Sequence, residues 1–505
     1  MNTISKSLSA SILSNFWTLL LLLLLTPLYV KFLGVESYGL IGFYTSLIAI
    51  LSVLDMGISS TATREISWRS VKKDDRNTIP TLVKSLEIIY WLVILFLCFT
   101  LSIVGWFFGD DWFQVKNLSP EIIKTAFILM IFSLALQVPI GFYTAGLVGL
   151  QRQIQNSAFI AVFATIRGAG AIIILWKISP DIRAFFCWQI LVNLFQIIFM
   201  HKFLWNKLNS FNKTSEFSKK IIKSIRSFTG GMILITALAL SISQIDKIIL
   251  STTVSIVDYS YYMLAWSISS ALMVLAIPIM QIYSPRFTRF ISNDSEELLK
   301  LDIVKASRLM ALIILPPTAF IMILSESILT IWLNNSDIAT SVAPVLVLMM
   351  PGSMLIACAY PALNILYSRK QIKPVIIIHT AALVIFLPII ILAIVYYGIK
   401  GAAICWSIYG CILFLSYQIL GLRGLSDKGI LLFILYNFLT PCFVAFLCAS
   451  FFGYWLLSIG NVFIFILFLS ISLITTWFFI LFIFNDFRLL LFNKISSFPI
   501  LRSFK

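Results

Sequence analysis

Apolar runs of about twenty residues, divided by short polar breaks, recur along this chain from Ile12 to Ile483. Each is long enough to cross a hydrocarbon core about 30 Å thick as an α-helix. The pattern predicts about fourteen spans, roughly 10–32, 38–63, 80–108, 121–147, 155–176, 183–205, 229–250, 257–283, 304–326, 341–367, 374–397, 401–422, 429–452 and 461–484. No stretch shows the short apolar–polar alternation of a membrane β-barrel strand. The fold class expected is an all-α polytopic membrane protein.

The breaks alternate in character. Val71-Lys-Lys-Asp-Asp-Arg76, Gln151-Arg-Gln153 and Tyr367-Ser-Arg-Lys-Gln-Ile-Lys373 are basic, whereas Gly109-Asp-Asp-Trp112 and Asn334-Asn-Ser-Asp337 are acidic or neutral. The longest connection, Asn206 to Ser227, carries Lys207, Lys213, Lys219, Lys220, Lys223 and Arg226. Its segment Phe217–Phe228 reads as a short basic amphipathic helix on the inner leaflet, contacting anionic lipid or serving only as a solvated linker. The chain then divides into an N-terminal six-helix lobe (1–205), a cytoplasmic basic linker (206–228), a C-terminal six-helix lobe (229–424) and two additional helices with a cytoplasmic tail (425–505). The halves echo one another: Arg152-Gln-Ile154 recurs as Lys370-Gln-Ile372, and Tyr38-Gly39 has a counterpart in Tyr261-Tyr262. Both halves begin on the same side, which makes the repeat parallel. The last two spans contain no Asp, Glu, Lys or Arg and read as lipid-facing additions.

Composition agrees: 60% of the 505 residues are hydrophobic and 11% charged, against about half and a quarter in soluble proteins. The formal charge of +16 raises the question of nucleic acid, but its distribution answers against it. Lys31, Lys116, Lys124, Lys177, Arg183 and Lys400 fall on one side, Arg167 and Lys247 within spans, and all other Lys and Arg on the opposite side. Such asymmetry places the basic side and both termini in the cytoplasm. The apolar stretch near the N-terminus, Ile12 to Leu33, is too long for a signal h-region and reads as the first span. The seven cysteines lie in apolar runs without CxxC spacing, and His201 and His379 are isolated, so neither a metal site nor a cofactor is expected. Paired carboxylates, a Ser/His/Asp set and a P-loop are all missing from the spans, and no loop is long enough for a catalytic domain. The composition therefore points to a transporter rather than an enzyme.

The candidate chemistry is polar groups inside membrane helices. On the second span Ser52, Asp55, Ser59 and Thr63 form one stripe, and Ser60, Arg64 and Ser67 another. Such groups are costly unless they line water or a partner. Arg167 lies twelve residues into the fifth span, about 18 Å deep at 1.5 Å per residue, too far to snorkel. It requires an aqueous cavity, a carboxylate or a bound anion. Gly168 and Gly170 follow it and allow a neighbouring helix to approach. Arg64, Arg308 and Lys247 extend a positive path suited to pyrophosphate, although Arg64 and Arg308 lie near helix ends, and Glu65 and Arg69 can pair at i, i+4. The acids Asp55, Glu87, Asp246 and Glu326 lie in or at the edges of spans. Asp55, Asp246 and Glu326 are the candidates for ion coupling, with pairing to nearby cations as their other role. Gln137, Asn193, Gln196, Gln281, Asn364, Gln418 and Asn437 can bond sugar hydroxyls or join helices.

Pro27-Leu-Tyr29, Leu33-Gly-Val-Glu-Ser-Tyr-Gly39, Leu54-Asp-Met-Gly57 with Arg64, Gly149-Leu-Gln-Arg152, Gln244-Ile-Asp-Lys-Ile-Ile-Leu250 and Lys400-Gly-Ala-Ala403 together resemble the polysaccharide biosynthesis/export family, to which Wzx-type O-antigen flippases belong. The resemblance implies the fold of the multidrug/oligosaccharidyl-lipid/polysaccharide exporters: two six-helix lobes around a central cavity, working by alternating access. It further implies a substrate of undecaprenyl-pyrophosphate-linked oligosaccharide, carried across the bacterial inner membrane and driven by an ion gradient. Membrane lipids, and the polymerase and chain-length proteins of the same glycan pathway, are the partners it suggests. Where the family often shows Asp-Arg, this chain has Asp246-Lys247, which puts a bidentate grip there in question. The rivals are a cation-coupled multidrug exporter of the same fold, which would favour acids in its cavity, and a membrane glycan polymerase or ligase, which would want a large external loop.

Overall fold

The computed structural model describes residues 3–71, 76–108, 112–115, 118–208, 216–223, 237, 243–424, 429–457 and 459–484. Its helices are α1 (Thr3–Val71), α2 (Ile79–Phe108), α3 (Pro120–Gly149), α4 (Gln153–Lys177), α5 (Ile182–Leu208), α6 (243–253), α7 (Ile256–Ser292), α8 (Glu296–Ile323), α9 (Ser325–Leu333), α10 (Ser336–Ser368), α11 (Ile372–Gly421), α12 (Ile430–Leu456) and α13 (Val462–Ile483). Among the described residues eleven helices are long and apolar enough to cross a membrane. The polytopic all-α class is as the apolar pattern predicts.

The eleven stand against the expected fourteen because two helices each join a pair of predicted spans and one predicted span is largely outside the described residues. Helices α1 and α11 each merge two predicted spans across one glycine, Gly34 (φ 79°, ψ 167°) and Gly398 (φ 57°, ψ −137°). Only a residue without a Cβ occupies such backbone readily, so each glycine turns the chain with no intervening loop. The predicted span 229–250 falls largely outside the described residues.

The chain divides into two compact units, one of 1–263 with 379–399 and the other of 264–378 with 400–505. This boundary lies beyond the expected linker at 206–228. The start of α7 belongs with α1: a Cβ on Gly39 would stand 2.6 Å from Ser260 Oγ and 2.8 Å from Ile256 Cγ1, and Ser260 Oγ donates to Val35 O at 2.7 Å. Small residues at a helix contact allow such close approach.

In the first unit α3 packs on α1, α2 and α5, while α4 packs on α1 and α5. Ala62, Leu82, Leu86, Tyr90, Tyr143 and Leu204 contribute to a buried cluster between them. Part of the predicted amphipathic segment docks here. Ser218 N–H donates to Ser85 Oγ at 2.9 Å, and Ile221 and Ile222 pack on the cluster, leaving Lys219, Lys220 and Lys223 exposed. Its apolar side is occupied by protein, and residues 224–228 lie outside the described set.

In the second unit α8 packs on α10, α12 and α13. Helix α12 contains one π-type turn at Leu435–Leu439, just before Pro441, whose ring cannot donate to the carbonyl four residues back. The last two helices expose much apolar surface, as expected of lipid-facing spans, yet Asn437, Ser472 and Thr476 are buried.

Candidate functional site

Arg167 sits where α4 is gripped from both sides. A Cβ at Gly168 would overlap Leu25 of α1, and one at Gly170 would overlap the Trp188 indole of α5. Tyr29 OH donates to Gly168 O at 3.1 Å, and Trp188 Nε1 donates to Ile166 O, also at 3.1 Å. The backbone on either side of Arg167 is thereby fixed, and its side chain projects from a rigid element.

The guanidinium is met by neutral oxygens. Its Nη2 donates to Asn193 Oδ1 and Gln196 Oε1, each at 2.8 Å. Asn193 is itself oriented, its Nδ2 donating to Ser133 O at 3.1 Å and standing 3.3 Å from Ser133 Oγ. Tyr44 OH and Ser133 Oγ share a bond of 2.8 Å. Arg167 Nε is buried with no hydrogen-bond partner among the described residues, and no described carboxylate forms an ion pair with the side chain. Amide dipoles stabilise a cation without neutralising it, so the positive charge persists.

The other sequence candidates have separate surroundings. Arg64 is exposed on α1. The hydroxyl stripe next to it joins helices: Ser59 Oγ bonds Tyr90 OH at 3.0 Å, Thr63 Oγ1 donates to Ala145 O at 3.1 Å, and Ser67 Oγ donates to Gly149 O at 3.2 Å. Glu65 and Arg69 pair at 3.3 Å. Asp55 belongs to α1, but its side chain lies outside the described set.

Lys247 is fully buried on α6, its Nζ 3.1 Å from each Asp246 carboxylate oxygen and 2.8 Å from Ser243 O. Tyr262 OH also donates to Asp246. In the second unit Arg308 Nε donates to Asn437 Oδ1 at 2.9 Å, with its guanidinium 5.2 Å from the Phe484 ring centroid. Glu326 is exposed and, with Ser325, Ser327 and Thr330, lines a pocket of about 660 Å³. Among the described residues, Lys247 and Arg308 thus have separate polar partners, Asp246 and Asn437.

One constellation escaped the sequence. Glu87, named only as an acid at a span edge, is buried and receives Tyr143 OH at 2.8 Å, Lys84 Nζ at 3.3 Å and Trp205 Nε1 at 3.4 Å, with His201 Nε2 at 3.2 Å. Three helices, α2, α3 and α5, meet at this carboxylate. Only the Lys84–Glu87 spacing of three residues was visible beforehand.

A family model described as polysaccharide biosynthesis protein matches residues 4–291, and one described as lipid II flippase MurJ matches residues 181–474. A putative O-antigen transporter of Shigella flexneri is 24% identical over 387 residues, covering 74% of this chain and 87% of that protein. Among solved structures, lipid II flippase MurJ in an inward closed conformation superposes with a TM-score of 0.70 at 14% identity, covering 93% of this chain and 97% of the other. An inward-facing multidrug resistance MATE family transporter of the MOP superfamily gives 0.67 at 14% identity, covering 81% and 96%.

Proposed function

Because the chain belongs to the polysaccharide biosynthesis protein family, we propose that it is a flippase for lipid-linked oligosaccharide. Its cargo is an undecaprenyl-pyrophosphate-linked repeat unit of O-antigen or a related surface glycan. The cargo moves from the cytoplasmic to the periplasmic leaflet of the bacterial inner membrane by alternating access. The observation that carries this reading is Arg167, a deep membrane cation whose described partners, Asn193 and Gln196, are uncharged. A pyrophosphate would exchange those amide oxygens for phosphate oxygens, which a guanidinium binds in a fork. Arg64 supplies an exposed cation on the same unit, while Arg308 and Lys247 play weaker parts because Asn437 and Asp246 already hold them. Transport is driven by an ion gradient, with Asp55 and Glu326 as the acids that take up the coupling cation. The polymerase and chain-length proteins of the same pathway receive the product.

Glycan display by a strain carrying Arg167→Ala is the test. The expected result is loss of surface glycan, accumulation of lipid-linked repeat units and unchanged protein in the membrane, with Arg167→Lys restoring only part of the export. Normal display by Arg167→Ala would refute the role. The MATE likeness favours a second reading, a drug exporter of the same fold. A deletion strain that becomes drug-sensitive while still displaying its glycan would establish that reading instead.

A further inference from the structure

The outer side of the α4–α5 pair carries a groove of about 530 Å³ running from Gln155 to Ile166 on α4 and from Trp188 to Phe203 on α5. Apart from Gln155 its lining is carbon-rich and includes Phe159, Phe163, Phe195, Phe199 and Phe203. Along α4 it covers twelve residues and along α5 sixteen, about 16 Å and about 22 Å at 1.5 Å per residue. These lengths are about half to three-quarters of a hydrocarbon core of about 30 Å. Its two ends differ. Trp188 and Ile166 close the deep end. At the other end Lys207 Nζ lies 5.5 Å from the Phe203 ring centroid, and exposed Arg152 precedes Gln155 by three residues.

We propose that this groove binds an anionic membrane phospholipid, one acyl chain lying between α4 and α5 and the headgroup phosphate held by Arg152 and Lys207. A groove that closes short of the full core suits an ordinary acyl chain over a long polyprenyl chain, and the cations at the mouth favour an anionic over a zwitterionic head. Occupancy bears on Arg167 through α5. Val192 and Phe195 face the groove, while the next residue in each case, Asn193 or Gln196, holds the guanidinium. A chain packed against the first pair braces the second. The site does not depend on the transported substrate, nor on which membrane face is cytoplasmic.

Brominated acyl chains quench indoles they touch, and Trp188 stands at the groove's closed end. The full-length protein is reconstituted in vesicles of phosphatidylcholine containing brominated phosphatidylglycerol or brominated phosphatidylcholine. The fluorescence assigned to Trp188 is the difference from a Trp188→Phe variant. Half-maximal quenching by the anionic lipid is expected at about a tenfold lower mole fraction, the order expected for two basic residues near a phosphate. Arg152→Ala with Lys207→Ala should erase the preference, and Ala158→Phe, which fills the groove, should reduce quenching by both lipids. Native mass spectrometry of these variants gives a second reading, expected to show less retained phosphatidylglycerol. Equal quenching by the two lipids, a preference that survives loss of both cations, or quenching indifferent to the filled groove would each overturn the proposal.

Discussion

A guanidinium deep in a membrane helix needs oxygen partners, and at Arg167 two amide side chains from the facing helix provide them. Gln196→Leu removes one and leaves a buried donor unmet, at a cost of about 1–3 kcal/mol. The purified variant should unfold at a lower temperature than the parent, whereas Gln196→Glu should hold Arg167 as an ion pair and lower glycan export, since the charge is then already met. Glu87 obeys the opposite logic, an anion surrounded by donors from three helices. Lys84 and His201 are partly exposed, so solvent weakens their share, and the buried Tyr143 bond contributes most securely. Tyr143→Phe is expected to cost about 1 kcal/mol and Glu87→Leu more. Their double variant should fall short of the sum, read by thermal unfolding, because both remove the same bond.

Among the elements, two helix boundaries are set by single residues. Gly34 has nothing within 4 Å of where a Cβ would stand, so Gly34→Ala tests its backbone alone. At φ 79° and ψ 167° the substitution should cost about 1–3 kcal/mol, and thermal unfolding would detect it. At the start of α5 Asp181 accepts Arg183 N–H and Arg183 Nε, each at 2.8 Å. Partial burial raises its carboxyl, but the bonds and charge of Arg183 outweigh this and bring it below the ordinary carboxylate value. Its capping contribution, about 0.5–2 kcal/mol, is therefore present above that ordinary value, about 3.9, and disappears as pH falls through the lowered one. The stability gap between parent and Asp181→Ala, measured across pH, should close only in strong acid. The linker turn at 219–223 is docked by Ile221 and Ile222, which pack on an apolar cluster of the first unit.

For the whole molecule, the bias of Lys and Arg toward one set of loops predicts both termini in the cytoplasm. A C-terminal alkaline phosphatase fusion should then be inactive and a green fluorescent protein fusion bright; the reverse would invert the topology. The chain alone settled the helical class, the approximate position of most spans and the family, because burial in lipid imposes long apolar runs that need no knowledge of their neighbours. It also identified Arg167 as a residue in need of company, since depth along a helix follows from counting. What it left open were the partners. Asn193 and Gln196 lie 26 and 29 residues from Arg167, Tyr143 lies 56 from Glu87, and Asn437 lies 129 from Arg308. An amide that binds cargo and one that binds a neighbouring helix look alike in one dimension. Only the packing of α4 between α1 and α5, and of α8 against α12, decides which oxygens a cation meets, because hydrogen bonds act over about 3 Å and that proximity is created by the fold.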